Sequence, residues 1–270
     1  MANDIPSYTS YPEVNITLHN FKKRLKLVFN KQLTGIYIHG SLAAGGFNPK
    51  SSDIDFLIIS SNEIHRQLLS DLQRMHKRII DDHPEWGRKL EGSYITSKKF
   101  YQIDIPCSPR PYLHKGHLEL CKYGPEWILE RHTLRENGIV LEGPPPKMVI
   151  EPISSIQLKK ATIKILYNWW LPILKDNKRL TDSEYQVYTV LTMCRVLYTL
   201  HQGTIPSKKT AAQWVSSLYS QWSHLIKQAL KWEYGQRFNY KKDALKFIQF
   251  TIRHSKKNTY LKIYSEENLK

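Results

Sequence analysis

The chain has 270 residues, 41% of them hydrophobic, with 7 Trp, 16 Tyr and 8 Phe, enough to fill the cores of two ordinary domains and too many for a disordered chain. No run approaches the roughly 18 to 20 apolar residues of a membrane helix, and the polar segment 1–12 has neither the basic nor the apolar region of a secretory signal. The net charge is +16, and residues 144–270 hold 21 of the 40 Lys+Arg but only 8 of the 24 Asp+Glu, so the second half suits a polyanion such as a nucleotide or, equally, is a solvated basic surface. Cys107, Cys121 and Cys194 share no CxxC spacing and are odd in number, which points to a reduced, cytoplasmic protein without disulfides or zinc.

In chain order, Leu18, Phe21, Leu25, Val28 and Phe29 recur at helical spacing and predict a helix over 17–33, closed by Gly35. Ile36-Tyr37-Ile38 reads as a short buried strand, and 54–59 as a second, interrupted only by Asp55. Asn62 is a candidate cap for a helix with Ile64, Leu68, Leu72, Met75 and Ile79 on one face. Two more strands are expected over 90–96 and 100–105. Close strands beside long helices predict an α/β domain, a mixed sheet with helices. Gly143-Pro144-Pro145-Pro146 interrupts helix and strand alike and sets a boundary between domains 1–143 and 144–270. Beyond it, helical patterns over 155–174, 182–201, 209–219, 221–234 and 240–254 predict an all-α helical bundle.

The chemistry concentrates between Tyr37 and Ile59. A buried strand runs into Gly40-Ser41, and after eleven residues of a Gly/Pro/Ser loop and its flanks the chain returns as a strand carrying Asp53-x-Asp55. Residues two apart on an extended strand share a side, so both carboxylates project together. Adjacent anions are unfavourable without a cation between them, and hard Mg²⁺, which takes carboxylate and phosphate oxygens, is the expected one. Gly40 permits close approach of the backbone to a phosphate, Ser41 adds a hydroxyl, and a helix starting at Leu42 would aim N–H groups at it. A lone Asp-x-Asp is most often a solvated strand end; the combination with Gly-Ser is what carries the reading.

This constellation resembles the polymerase-beta-like nucleotidyltransferase superfamily, whose signature is Gly-Ser followed at an interval by Asp-x-Asp. The stretch from Gly40 to Asp55, and Leu191-Thr-Met-Cys-Arg-Val-Leu-Tyr-Thr-Leu-His-Gln-Gly-Thr-Ile-Pro-Ser-Lys-Lys-Thr-Ala-Ala-Gln-Trp214 in the helical half, look like the streptomycin/spectinomycin (aminoglycoside) adenylyltransferases. The likeness runs from about residue 34 to 235. It implies a nucleotidyltransferase domain followed by a helical domain, nucleotide and drug bound in the cleft between them, and transfer of AMP from ATP to an antibiotic hydroxyl with Mg²⁺ at Asp53 and Asp55. It places the catalytic base at Glu91, with Asp104 as the rival acid. It further implies phosphate contacts at Arg195 and Lys208 (or the adjacent Lys209) and a nucleotide contact at Tyr234.

Aminoglycosides and aminocyclitols are cations, so acids are expected at the acceptor: Glu91 itself, then Asp182 or Glu184 at a helix start, where Asp182 is also suited to an N-cap. The family's dual-specificity members hold streptomycin with a tryptophan and an acid just before this helix. Residues 175–184 contain no tryptophan, so the resemblance favours spectinomycin; Trp169 and Trp170 upstream are expected in the core. The alternative is a nucleotidyltransferase with another acceptor: a nucleic acid, a protein or a small molecule such as a lincosamide. No basic stretch interleaved with aromatics speaks for nucleic acid. His114 and His117, an HxxH in a Gly-containing loop without a third ligand, are expected to be structural or solvated. No pattern encodes self-association, and the working expectation is a monomer.

Overall fold

A computed structural model describes residues 5–102 and 108–257. Contacts divide the chain into two compact units, Met1–Asn48 with Ser52–Pro152, and Pro49–Ser51 with Ile153–Lys270. The division after Pro152 falls later than the Gly143-Pro144 break. Segment 144–152 stays on the first unit because the Tyr37 hydroxyl donates to Pro144 O at 2.9 Å, Arg135 Nε donates to Ile150 O at 2.8 Å, and the Ile150 side chain is buried among Tyr37, Trp127 and Leu134.

The first unit runs α1 (Pro12–Phe29), β1 (Leu33–Ile38), α2 (Gly40–Ala43), β2 (Ile54–Ser60), α3 (Arg66–Asp82), α4 (Pro84–Gly87), β3 (Leu90–Thr96), α5 (Ser97–Tyr101), β4 (Arg110–His114), β5 (His117–Cys121), α6 (Glu126–Asn137), β6 (Ile139–Glu142) and α7 (Pro146–Val149). Its six-stranded sheet has the order β5-β4-β3-β2-β1-β6; β2 and β3 are parallel and all other neighbours antiparallel, giving the mixed sheet expected. Alternation along the strands separates two cores. Ile36, Ile38, Ile54, Phe56 and Ile58 pack under α1 and α3 with Phe21, Leu25, Leu72 and Ile79. Tyr37, Leu57, Ile59 and Ile95 face the other way, against Trp127 and Leu134 of α6. Asp55 and Glu91 fall on this second face by the same period of two, at the strand ends where the apolar residues stop.

Several local expectations are corrected. The first helix ends at Phe29 rather than 33, because Asn30 takes a positive φ of 51° that right-handed helix cannot continue through. The helix expected after Asn62 starts at Arg66, where the His65 side chain accepts from Leu68 N at 3.3 Å. The strand expected over 100–105 is not one at Phe100 and Tyr101. The Thr96 hydroxyl accepts from Lys99 N at 3.3 Å and starts the helical turn of α5, which buries Phe100; residues 103–105 lie outside the described residues. His114 and His117 do not sit in a loop. They close the β4–β5 hairpin around Lys115-Gly116, whose φ values of 48° and 80° are those of a two-residue turn with both central residues left-handed.

One core histidine sets an acid limit on stability. His76, buried under the sheet, pairs through Nε2 with the Tyr94 hydroxyl, and burial lowers its pKa from 6.5 to about 3. The folded state therefore holds a neutral ring while the unfolded chain takes up a proton below pH 6.5. Its contribution is complete above that pH and is lost as pH falls towards 3, at up to about 1.4 kcal/mol per pH unit. The thermal midpoint is expected to fall more steeply between pH 7 and pH 4.5 in the wild type than in His76→Gln. Equal slopes would remove His76 from the account.

The second unit is the all-α bundle: α8 (Ser155–Ile165), a π-helical turn over Leu166–Trp170, α9 (Leu171–Ile173), α10 (Ser183–Gln202), α11 (Lys208–Leu218), α12 (Ser223–Lys231) and α13 (Lys241–Lys257). Helix α10 is central, with Val190, Met193, Cys194 and Leu197 buried among its neighbours, and Asp182 caps it by accepting from Tyr185 N at 2.8 Å. The wider π turn shifts the helical phase, so Trp170 is buried while Trp169 is 47% exposed, against the expectation that both lie in the core. No helix among the described residues is long and apolar enough to cross a membrane.

Candidate active site

Strand β1 delivers the chain to His39, whose N–H donates to Asp55 O at 2.9 Å and ties the Gly-Ser turn to the start of β2. Gly40 follows with a φ of +62°. A Cβ there would sit 2.6 Å from Asp55 Cγ and 3.0 Å from its Cβ, with Oδ2 nearer still. Glycine is required twice over: for the left-handed backbone, and for the space that the Asp55 carboxylate occupies. The helical turn begins at Gly40 rather than Leu42, so Ser41 lies within it, and Gly46 N–H closes on Ser41 O at 2.9 Å. Ser52 N–H donates to Asn48 O at 2.8 Å, and Ser52 Oγ accepts from Asn48 N–H at 3.0 Å, closing the loop just before the half-buried Asp53.

Parallel pairing of β2 with β3 sets Asp55 opposite Glu91. The strands meet closely there, since a Cβ on Gly92 would lie 2.8 Å from the Phe56 carbonyl carbon. Strand β4 adds Tyr112, opposite Ser93, and then His114, so that both share the face of Glu91. The Tyr112 hydroxyl donates to Glu91 Oε1, and His114 Nδ1 lies 3.1 Å from Glu91 Oε2. Burial first, then the negative charge and accepted hydrogen bond of Glu91, with further charge from Glu130 and Asp55, hold the Tyr112 phenol far above its ordinary pKa. Tyr112 is therefore a permanent donor. Desolvation lowers the His39 pKa, opposed by Glu130 and by a hydrogen bond to the Phe56 backbone. On the same face, buried Arg110 donates from Nε to Ser93 Oγ at 2.7 Å, lies over the Tyr123 ring at 4.2 Å and stands 3.8 Å from the Glu130 carboxylate.

The structure thus gathers Gly40, Asp55 and Glu91 at one end of one sheet face, with Ser41 next to Gly40 in the helical turn and Asp53 in the chain just before β2. Asp104 lies outside the described residues. Arg195, Lys208 and Tyr234 belong to the second unit: Arg195 half-buried on α10, Lys208 at the first position of α11 after the Ser207 cap, and Tyr234 part-exposed with its ring edge-on to Trp232 at 5.5 Å. Asp182 spends its side chain on the α10 cap. Trp169 donates to the Tyr185 hydroxyl at 3.2 Å and lies under Arg179 at 4.7 Å, so an indole does stand beside the first turn of α10, brought there from an earlier helix. Tyr112 and His114 are the site residues that sequence reasoning missed. The available signal was the period-two run Arg110-x-Tyr112-x-His114 leading into Lys115-Gly116.

A mixed sheet whose Gly-Ser turn leads into Asp-x-Asp makes this protein a nucleotidyltransferase, and the family model of the nucleotidyltransferase domain matches residues 19–106. The model described as aminoglycoside adenylyltransferase, C-terminal domain, matches residues 148–258. The two matches, in this order along the chain, support the aminoglycoside adenylyltransferase family. Among its relatives, a spectinomycin 9-adenylyltransferase of Campylobacter jejuni is 27% identical over 203 residues, covering 70% of this chain and 72% of that protein. A spectinomycin 9-adenylyltransferase of Staphylococcus aureus is 23% identical, covering 73% and 75%. The crystal structure of spectinomycin adenyltransferase AAD(9) from Enterococcus faecialis with ATP and spectinomycin shares the fold, with a TM-score of 0.70, 18% identity, and coverage of 87% of this chain and 96% of that one.

Proposed function

We propose that the protein transfers AMP from ATP to a hydroxyl of spectinomycin, in preference to streptomycin, as a cytoplasmic monomer. The chemistry rests on one observation: the β2–β3 register sets Asp55 beside Glu91 while Gly40 leaves room for the Asp55 carboxylate. The choice of acceptor is supported by the names of the relatives and by the ATP and spectinomycin bound to the structural neighbour.

Asp53 and Asp55 fit Mg²⁺, being hard oxygen donors. Among the described residues no group of three or more His, Cys, Asp or Glu gathers for a metal; with these two carboxylates as its protein ligands, Mg²⁺ would take its other oxygens from nucleotide phosphates and water. Asp53 and Asp55 would hold Mg²⁺ where its charge would offset that of the phosphates and polarise the α-phosphorus. Glu91 takes the proton of the acceptor hydroxyl as that oxygen bonds to the α-phosphorus; the bond to the bridging oxygen breaks and pyrophosphate leaves. Gly40 and Ser41 offer backbone N–H groups and a hydroxyl to the phosphates. Arg195 and Lys208 offset the triphosphate charge, and Tyr234 lies by the nucleotide.

The test is a screen with α-labelled ATP and Mg²⁺ against spectinomycin, streptomycin, other aminoglycosides, lincosamides and RNA. Labelled product is expected with spectinomycin. Trp169 beside Tyr185 is the reason streptomycin belongs in the screen. Label on streptomycin alone would overturn the preference, and label on none of the antibiotics would overturn the antibiotic reading.

A further inference from the structure

The two oxygens of Glu91 are held separately and unequally. Oε1 accepts from the Tyr112 hydroxyl, whose strand position is fixed by pairing with Ser93. Oε2 faces His114 Nδ1 at 3.1 Å, where the His114 side chain is 55% exposed against 21% for Glu91. His114 is the last residue before the Lys115-Gly116 turn, and an exposed side chain of this kind changes rotamer in picoseconds to nanoseconds. A carboxylate oxygen that already accepts a strong hydrogen bond is the less basic of the two. Oε2 has the more exposed neighbour of the two, His114, which can swing away for an incoming hydroxyl.

Taking Glu91 as the base, we infer that Tyr112 is its positioning residue: it donates to Oε1 throughout the reaction and so makes Oε2 the atom that receives the acceptor's proton. His114 occupies Oε2 until the acceptor hydroxyl displaces it. One proton moves, from the acceptor oxygen to Oε2, as the new bond to phosphorus forms and pyrophosphate departs. Tyr112 neither gives nor takes a proton. This refines the assignment of the base to a single atom and gives a role to two residues of β4.

The experiment is steady-state kinetics of AMP transfer from ATP to spectinomycin by the full chain. Tyr112→Phe removes one hydroxyl; kcat is expected to fall about 10- to 100-fold, the range of a lost hydrogen bond to a charged group, with the KM for ATP within about twofold of wild type. His114→Ala is expected to lower the KM for spectinomycin, since it removes the group the acceptor displaces. Glu91→Gln is run alongside. If it turns over normally, the base is wrongly assigned. If it is inactive while Tyr112→Phe matches wild type in kcat, the base stands and the positioning role falls. A raised spectinomycin KM in His114→Ala would overturn the assignment to Oε2. Should Tyr112→Phe lose its thermal transition, 4-fluorophenylalanine at 112 keeps the ring and fills the place of the hydroxyl without a donor. A lowered kcat then supports the role, and an unchanged kcat overturns it.

Discussion

Glu91→Gln is expected to lower kcat for AMP transfer by about 10²- to 10⁴-fold, the usual contribution of a positioned general base, while ATP still binds with near wild-type affinity. The amide has the volume of the carboxylate, and its oxygen still accepts from Tyr112, so the sheet around it keeps its packing. What it loses is the capacity to take a proton. The nucleotide contacts assigned to Gly40, Ser41, Asp53 and Asp55 are left in place, so binding and turnover separate. Single-turnover transfer together with titration of ATP measures both. Turnover near the wild-type rate would move the role to Asp104, and a large loss of ATP affinity would make Glu91 a nucleotide ligand instead.

Gly40→Ala is expected to lower kcat/KM by about 10²-fold or more, the scale on which a catalytic group displaced by an ångström is felt. The left-handed backbone at a φ of +62° disfavours alanine by about 1–2 kcal/mol. The new Cβ would meet the Cγ and Cβ of Asp55 as well as its carboxylate oxygen, so rotating the carboxylate does not relieve the contact. Asp55 cannot retreat along the strand either, because its carbonyl accepts from His39 N–H and its neighbours are in register with β3. The substitution therefore displaces the proposed metal ligand while leaving both cores untouched. A thermal midpoint lowered by about 2–8 °C, with activity down by two orders of magnitude, is the expected pair of readings. Activity within tenfold of wild type would show that the position of Asp55 is not critical.

Both predictions draw on features of different legibility. Gly40-Ser41 and Asp53-x-Asp55 could be read directly, because a strand's period of two and a glycine's backbone freedom are local properties. The helical half was equally open: apolar spacing marks α10 along its whole length, and Asp182 announces its cap. Glu91 was found through resemblance, and its place beside Asp55 depends on a parallel register between strands 36 residues apart in the chain, which no local pattern encodes.

The errors share a cause. Phe100 and Tyr101 look like a strand by side-chain type, yet the Thr96 cap winds them into a turn that buries Phe100, so tertiary packing overrode propensity. Strand β4 was hidden by Pro109 and Pro111, since proline removes a ladder donor and argues against a strand. Its pairing on both sides, with β3 and β5, decides the matter, and only that pairing carries Tyr112 and His114 to Glu91. The sequence by itself determined the Gly-Ser and Asp-x-Asp pattern proposed to hold the metal, the glycine it needs and the helical second half, all set by neighbours within a few residues. Only the tertiary structure decided which groups hold Glu91, the proposed base, because hydrogen bonds between strands join residues whose positions along the chain say nothing of each other.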